Sequence, residues 1–516
     1  MRHTLVGSAA VLLIAGSLET GCGSSGGSNG SIACTIQATA STSAKIPTVG
    51  IVNFTTSLAD VQSAKIDFGL TTGYGMTAPV DLAQPDYRTL LLGMKAAKTY
   101  HYQVTVSNGS GSCKSGDYTI ETGAMANGLP QVTVSPATSS VSELSGGFLI
   151  TGQFATGAGT AGSPAYILDA DGDYVWWFSI DGDVGNAQMS YDGTHMWINS
   201  VNVGAGTAGT GLGTGAARVH RVSMDGLTDE DLSSSFTGQN HQLTVEPDET
   251  VAFYAYGSNG CDDIKEYNPS TGAVRTIVNA QTAQQLAAGT MCHLNNIQYS
   301  QPDDSLVFSD LDSSTIVKVR RTDGSVVWNL NGAHRTLNGM PWTGGQHGID
   351  LIDRTHILFF ANNNGGTIGI PGDLPDGGIP GGFPDGGIPD GGIPDGFPDG
   401  GIPGFPDGGF PGGGPGGIDA GSSGSSGSTA IEMVLDTAAM TATTVWSYTA
   451  NPAIANMVMG DVQRMPNGNT VVAYSTRGVL HEVSADGRNL QTWTWPAGST
   501  FGYIQKRATL YGPPPR

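Results

Sequence analysis

From about residue 130 to the C-terminus the chain repeats with a period near fifty residues, and each repeat reads as four short apolar runs divided by polar turns. The clearest copy is "HLNNIQYSQPDD", "SLVFSDLD", "STIVKVRRTDG" and "SVVWNLNG". The next copies are "QHGIDLIDR", "THILFFANNN", "TAIEMVLDTAAM", "TTVWSYT" and then "GDVQRMPNG", "NTVVAYST", "GVLHEVSADG", "NLQTWTW". Earlier copies begin at "GGFLITGQF", "NAQMSYDG" and "HQLTVEPDE". Runs this short, with "DG", "NG" and "PD" between them, are strands. One such unit cannot bury both of its faces alone, so neighbours must stack. Six four-stranded units predict a six-bladed β-propeller over 130–516, and the tail "FGYIQKRATLYGPPPR" is expected to help close it.

The region before the repeat is different. Residues 32–124 hold "TVGIVNFTT", "SAKIDFGLT", "RTLLLGM" and "TYHYQVTVSN", strand-like runs at sandwich spacing. "TLLLGMKAAKTYHYQVTV" resembles the later strands of a fibronectin type III-like β-sandwich. The fold class is therefore all-β throughout. No chemistry is expected of this module.

Residues 1–21 read as a lipoprotein-type signal peptide: Arg2, then the apolar "LVGSAAVLLIAGSL", then "LETGC". "LETGC" resembles a bacterial lipobox, which implies lipidation of Cys22. Residues 22–31 ("CGSSGGSNGS") form a flexible tether. The expected place is the cell envelope, lipid-anchored and facing the periplasm or cell surface, or otherwise secreted. Export leaves four cysteines able to pair. Pairing Cys34 with Cys113 and Cys261 with Cys292 is the simplest of three connectivities, because each pair stays in one domain. No CxxC occurs, so no structural zinc site is expected. "DADGDYVWW" reads as a hairpin turn and not as a calcium loop, because the later Glu is missing.

A net charge of −22 excludes nucleic acid and anionic membrane surfaces as partners. The only membrane contact expected is the lipid anchor. Some of that charge sits in the Pro/Asp/Gly tract at 370–428, an insertion that cannot bury a core and is expected to be disordered.

Chemistry is sought among the histidines. Letter the strands of a blade A to D from the centre outward. The start of A, the end of B and the start of C then share one face. His241, His293 and His347 stand at the starts of three successive A strands, so three imidazoles are expected at one mouth of the channel. Asp461 and Asn186 take the corresponding places in two other blades. His195, His220, His356 and His481 fall inside B or C strands and are expected to be structural.

"CHLNNI", "DDSLVFSDLDSSTIVKVRRTDGSVVW", "QHGIDLI" and "GDVQRMPNGNTVV" together resemble the bacterial arylsulfotransferases. That resemblance implies an exported six-bladed propeller behind a β-sandwich. It implies that His347 is a nucleophile taking a sulfuryl group from an aryl sulfate and passing it to a phenol. His293 and His241 would act with it, and Asn295 would help hold the sulfate. No cofactor and no metal are implied. The sequence departs from the family where an Arg is usual: Leu311 stands between Asp310 and Asp312, and Thr429 precedes "AIEM". Arg335 is the substrate-binding residue expected to compensate. Two other readings stay open: a non-catalytic surface propeller binding a protein or glycan, and a metal enzyme using the three histidines with Asp461.

Overall fold

The computed structural model describes residues 30–136, 141–154, 162–201, 217–257, 261–287, 292–330, 345–362, 427–439, 441–456 and 458–514. Signal peptide, Cys22, Arg335 and nearly all of the 370–428 tract lie outside them.

The N-terminal strands form two antiparallel sheets. One joins Ile36–Thr42, Gly50–Thr56 and Thr89–Leu91; the other is built on Ser63–Gly69 and Thr99–Asn108. Alternate residues of both sheets, including Val52, Phe54, Ile66, Phe68, Tyr102 and Val104, meet in one core. The structure pairs Cys34 with Cys113 across it.

Six further sheets follow among the described residues, each of four or five antiparallel strands. Four of them are sets of four neighbouring strands in chain order, as the repeat predicts. The other two exchange ends. Thr133–Pro136 joins the last sheet as its outer strand, against Asn489–Thr494. The C-terminal Gln505–Arg507 pairs with Phe148–Phe154 and supplies the inner edge of the first sheet. "GGFLITGQF" is therefore a second strand of its sheet. The tail takes the inner place.

The inner strands are joined by a closed cycle of side-chain-to-backbone bonds. Val245 N–H donates to Gln188 Oε1 (2.8 Å), Tyr299 N–H to Thr244 Oγ1 (3.3 Å) and Leu351 N–H to Gln298 Oε1 (2.7 Å). Arg464 N–H donates to Asp350 Oδ2 (2.6 Å), Lys506 N–H to Gln463 Oε1 (2.6 Å) and Met189 N–H to Gln505 Oε1 (3.0 Å). After six steps the path returns to the strand it left. Each acceptor occupies one register of its strand, and each donor is the residue after the next acceptor. A side chain is needed because neighbouring inner strands belong to different sheets and share no ladder. Gln reaches across at four of the links, Thr and Asp at one each. At the seam Gln463 bonds twice, since its Nε2 also donates to the Lys506 carbonyl (2.9 Å).

The N-terminal sheets are fastened to the first two sheets of the ring. Ile46, Val49 and Leu92 enter a core with Ile150, Val175, Trp176 and Val184. Arg88 pairs with Asp225 at 2.5 Å, and Lys95 lies within 3.1 Å of Asp169, Asp171 and Asp173. Those three aspartates form the hairpin turn read from "DADGDYVWW". Among the described residues they are the one group of three whose ligand atoms crowd closely enough for a metal ion, and the Lys95 ammonium already contacts all three.

If the cycle holds the inner strands together, Gln463→Leu should destabilise the fold by roughly 1–3 kcal/mol, because it strands a buried N–H and a carbonyl of Lys506. Urea unfolding of wild type and variant measures this. A loss below about 0.5 kcal/mol, the range of an ordinary surface change, would contradict it.

Candidate active site

The mouth is built by an irregularity repeated in several inner strands. Pairing slips at the same level in four of them: between Val184 and Asn186, Gln239 and Leu243, Leu294 and Asn296, and His347 and Ile349. Such bulges turn side chains out of the strand's alternation. His241 sits in the left-handed region (φ 48°), costly for a residue with a Cβ, and Gly348 is at φ 44°. Glycine is required at 348, where a Cβ would lie 2.3 Å from Asp461 Oδ1.

Counting back three residues from each bond-cycle acceptor gives Gly185, His241, Asn295, His347, Gly460 and Gly502. The register therefore differs from expectation. Asn295, not His293, is level with His241 and His347; His293 stands two residues earlier, and Asp461 and Asn186 one residue later.

The three histidines do come together. His241 and His293 have ring centroids 5.3 Å apart, and the charges of His293 and His347 both bear on His241. His241 and His347 are buried; His293 is partly open. Burial holds His241 well below the usual imidazole range, with repulsion from His293 and His347 adding to it. Burial likewise pushes His347 down to about 4; the Asn362 bond and the Gly345 carbonyl pull up against it and His293 pushes down. His293 is lowered by burial against the opposing carboxylates of Asp312 and Asp310. Its Nδ1 lies 4.0 Å from Asp312 Oδ1. Burial thus favours the neutral form of all three rings, each with a lone pair.

Asn295 is fully buried and its side chain is committed inside the protein. Its Nδ2 donates to the Gln346 carbonyl (2.7 Å), and its Oδ1 accepts from Ser309 Oγ at 2.5 Å. These bonds brace the strand before His347. Gln346 donates from Nε2 to the Asp310 carbonyl (2.7 Å). The Cys261–Cys292 disulfide ends directly beside His293.

Leu311 is buried, and its N–H donates to the His293 carbonyl (2.9 Å). Asp310, also buried, accepts from His293 N–H (3.0 Å), from Asp312 N–H (3.1 Å) and from Gln284 Nε2 (2.8 Å). The position where the resemblance implies an arginine thus holds a buried Leu311 beside a carboxylate tied to backbone. No lysine or arginine among the described residues acts on any of the three rings. Thr429 bonds Thr449 (2.8 Å) on the sheet. His481, expected to be structural, bonds Tyr448 (2.9 Å) within a core. A cavity of about 200 Å³ is lined by the bond-cycle residues and by Asp461, not by the histidines.

Residues 280–499 match the family model of the arylsulfotransferases. That stretch is under half of the chain; it contains His293 and His347 and supports a sulfotransferase-like function. No curated protein matches the sequence. Among solved structures, TolB from Acinetobacter baumannii is 14% identical over 80% of this chain and 81% of its own, with a TM-score of 0.39. A nidogen/laminin complex is 7% identical over 69% and 97%, also at 0.39. Likenesses this distant carry no function.

Two residues escaped the sequence reading: Asn362, which bonds the His347 ring, and Ser309, which holds Asn295. Both lie at the ends of B strands, where the shared-face geometry points, but neither type signals chemistry alone.

With His347 held near 4, its ring should stay neutral from pH 8 to about pH 5 and gain a proton only below. An NMR titration of the imidazole resonances, assigned with His347→Gln, reads this directly. A midpoint near the ordinary 6.5 would contradict the burial described here.

Proposed function

We propose that the chain is an exported six-bladed β-propeller of arylsulfotransferase type, carrying a fibronectin III-like sandwich at its N-terminus and a lipid anchor on Cys22. It transfers a sulfuryl group from an aryl sulfate to a phenol through a covalent adduct on His347. Two disulfides are compatible with export, and no helix among the described residues is long and apolar enough to cross a membrane.

The observation that carries this reading is a buried, neutral His347 grouped with two more neutral imidazoles, in the stretch that matches the family. A neutral ring can approach the sulfur of an anionic ester without adding charge. Its nitrogen forms the N–S bond while the S–O(aryl) bond breaks, and the phenolate leaves with the electron pair. The phenolate takes its proton from solvent, and His293, neutral, partly open and backed by Asp312, takes the proton of the acceptor phenol as its oxygen attacks the sulfur and the N–S bond breaks. His241 donates to sulfuryl oxygens once it holds a proton toward them.

A specific observation favours a second reading. Asp310 and Asp312 beside Leu311 make this mouth a poor anion site, which suits a propeller that binds a protein or glycan without turnover. The metal reading loses ground: the Asp461 carboxylate is already bonded by Val462 N–H (2.9 Å) and Ile504 N–H (2.8 Å).

Release of nitrophenolate from 4-nitrophenyl sulfate, with and without a phenol, separates the two. Transfer predicts turnover stimulated by the phenol, its loss in His347→Ala, and a fall of roughly a hundredfold or more in His293→Ala. Full turnover by His347→Ala would remove the proposed mechanism. Silence of the wild type across aryl sulfate donors would leave the binding propeller.

A further inference from the structure

We infer that Asn362 is the positioning residue that fixes the tautomer of His347, holding the proton on Nδ1 and leaving the Nε2 lone pair for reaction. The inference rests on the proposed role of His347, but its geometry is independent of substrate.

His347 Nδ1 lies 2.6 Å from Asn362 Oδ1. An amide oxygen only accepts, so Nδ1 must carry the hydrogen. Which end of the Asn362 amide faces the ring is settled by the other end. Its Nδ2 donates to two carbonyls, Asn456 O (2.6 Å) and Met459 O (2.9 Å). Turning the amide over would set its oxygen against both carbonyls and its NH₂ against the ring. The carbonyls are themselves held. Asn456 donates from Nδ2 to Met459 O (3.0 Å) and accepts at Oδ1 from Thr476 N–H (2.9 Å) and Oγ1 (2.7 Å). Asn362 backbone N–H donates to Gly345 O (2.9 Å), and its carbonyl accepts from Ser428 Oγ (3.2 Å). Ser428 in turn receives Asn456 N–H (2.9 Å). Asn362 is the last residue described before the Pro/Asp/Gly insertion, and Gly427 and Ser428, at its C-terminal end, are the next described. The described residues on either side are thus tied together at the partner of His347.

The choice of amide over carboxylate matters chemically. When Nε2 bonds to sulfur, the proton stays on Nδ1 and the ring becomes cationic. A carboxylate at 362 would stabilise that cation and make the adduct a poorer donor to the phenol. A neutral acceptor orients the ring with less stabilisation, so the N–S bond stays easy to break. It also keeps the free ring neutral, as burial already requires.

The test is a long-range ¹H–¹⁵N correlation spectrum of the ¹⁵N-labelled full chain without substrate, with His347 assigned through His347→Gln. The expected wild-type pattern is a protonated Nδ1 and a pyridine-type Nε2. Asn362→Leu should abolish that single tautomer while the His241 and His293 signals persist. Asn362→Asp should keep it, move the ring's protonation midpoint upward by on the order of one to three pH units, and carry the acid limb of any transfer activity with it. A wild-type ring protonated on Nε2, toward the nearby Gly345 carbonyl, would overturn the inference. So would an unchanged tautomer in Asn362→Leu or an unmoved midpoint in Asn362→Asp. Should the Leu variant not fold, the Asp variant decides alone. The expected tautomer in a chain that transfers nothing would sink the proposed function and leave this inference standing.

Discussion

Six hydrogen bonds between side chains and neighbouring backbones hold the inner strands in a closed cycle, and the position of the histidines depends on it. Each sheet is internally satisfied by its own ladder, but nothing in a ladder fixes one sheet to the next. Gln188, Thr244, Gln298, Asp350, Gln463 and Gln505 make that link at one level of the strands. Three residues earlier on those strands lie His241 and His347. A strand pinned at this level can bulge above it without losing its place, so the imidazoles are offered from a rigid rim.

The closure also explains why the chain ends where it does in space. The C-terminal strand lies inside the first sheet, and the strand before the ring lies outside the last. Tyr503 hydroxyl donates to the Asn295 carbonyl, so the tail reaches from the seam to the far side of the mouth. Asn295, which supports the residue before His347, is therefore held by both the fourth sheet and the C-terminus. The mouth itself is neutral to acidic: three rings lowered chiefly by burial, with Asp310 and Asp312 at one side. A substrate anion entering it would have to be met by donors and by proton uptake on the rings instead of by a fixed cation.

Much of this was legible in the sequence. Four-run units with aromatic residues near their ends gave the sheets and their order, and the shared-face rule placed His241, His293 and His347 together. Both disulfide pairings, Cys34–Cys113 and Cys261–Cys292, match the simplest connectivity. The bulges were not legible, because inserting one residue leaves no mark on apolar spacing. "GGFLITGQF" looked like an opening strand because nothing local tells an inner strand from a second one. Its partner lies some 350 residues away, a separation read from the pairing of Ile150 with Gln505. The bond cycle was visible as a Gln, Thr or Asp recurring in "NAQMS", "QLTVE", "NIQYS", "GIDLI", "DVQRM" and "YIQKR". It reads as ordinary strand polarity until the strands are seen to converge. The internal bonds of Asn295, to Gln346 and Ser309, were likewise invisible in the motif.

The account centres on covalent capture of a sulfuryl group by one buried ring. Mass spectrometry of the protein after incubation with an aryl sulfate and no acceptor tests that most directly. The adduct is handled at alkaline pH, since acid cleaves N–S bonds. The account predicts a single sulfuryl addition on the peptide holding "GGQHGIDL", discharged when a phenol is added. An adduct on any other residue, or nitrophenolate release with no adduct at all, would contradict it.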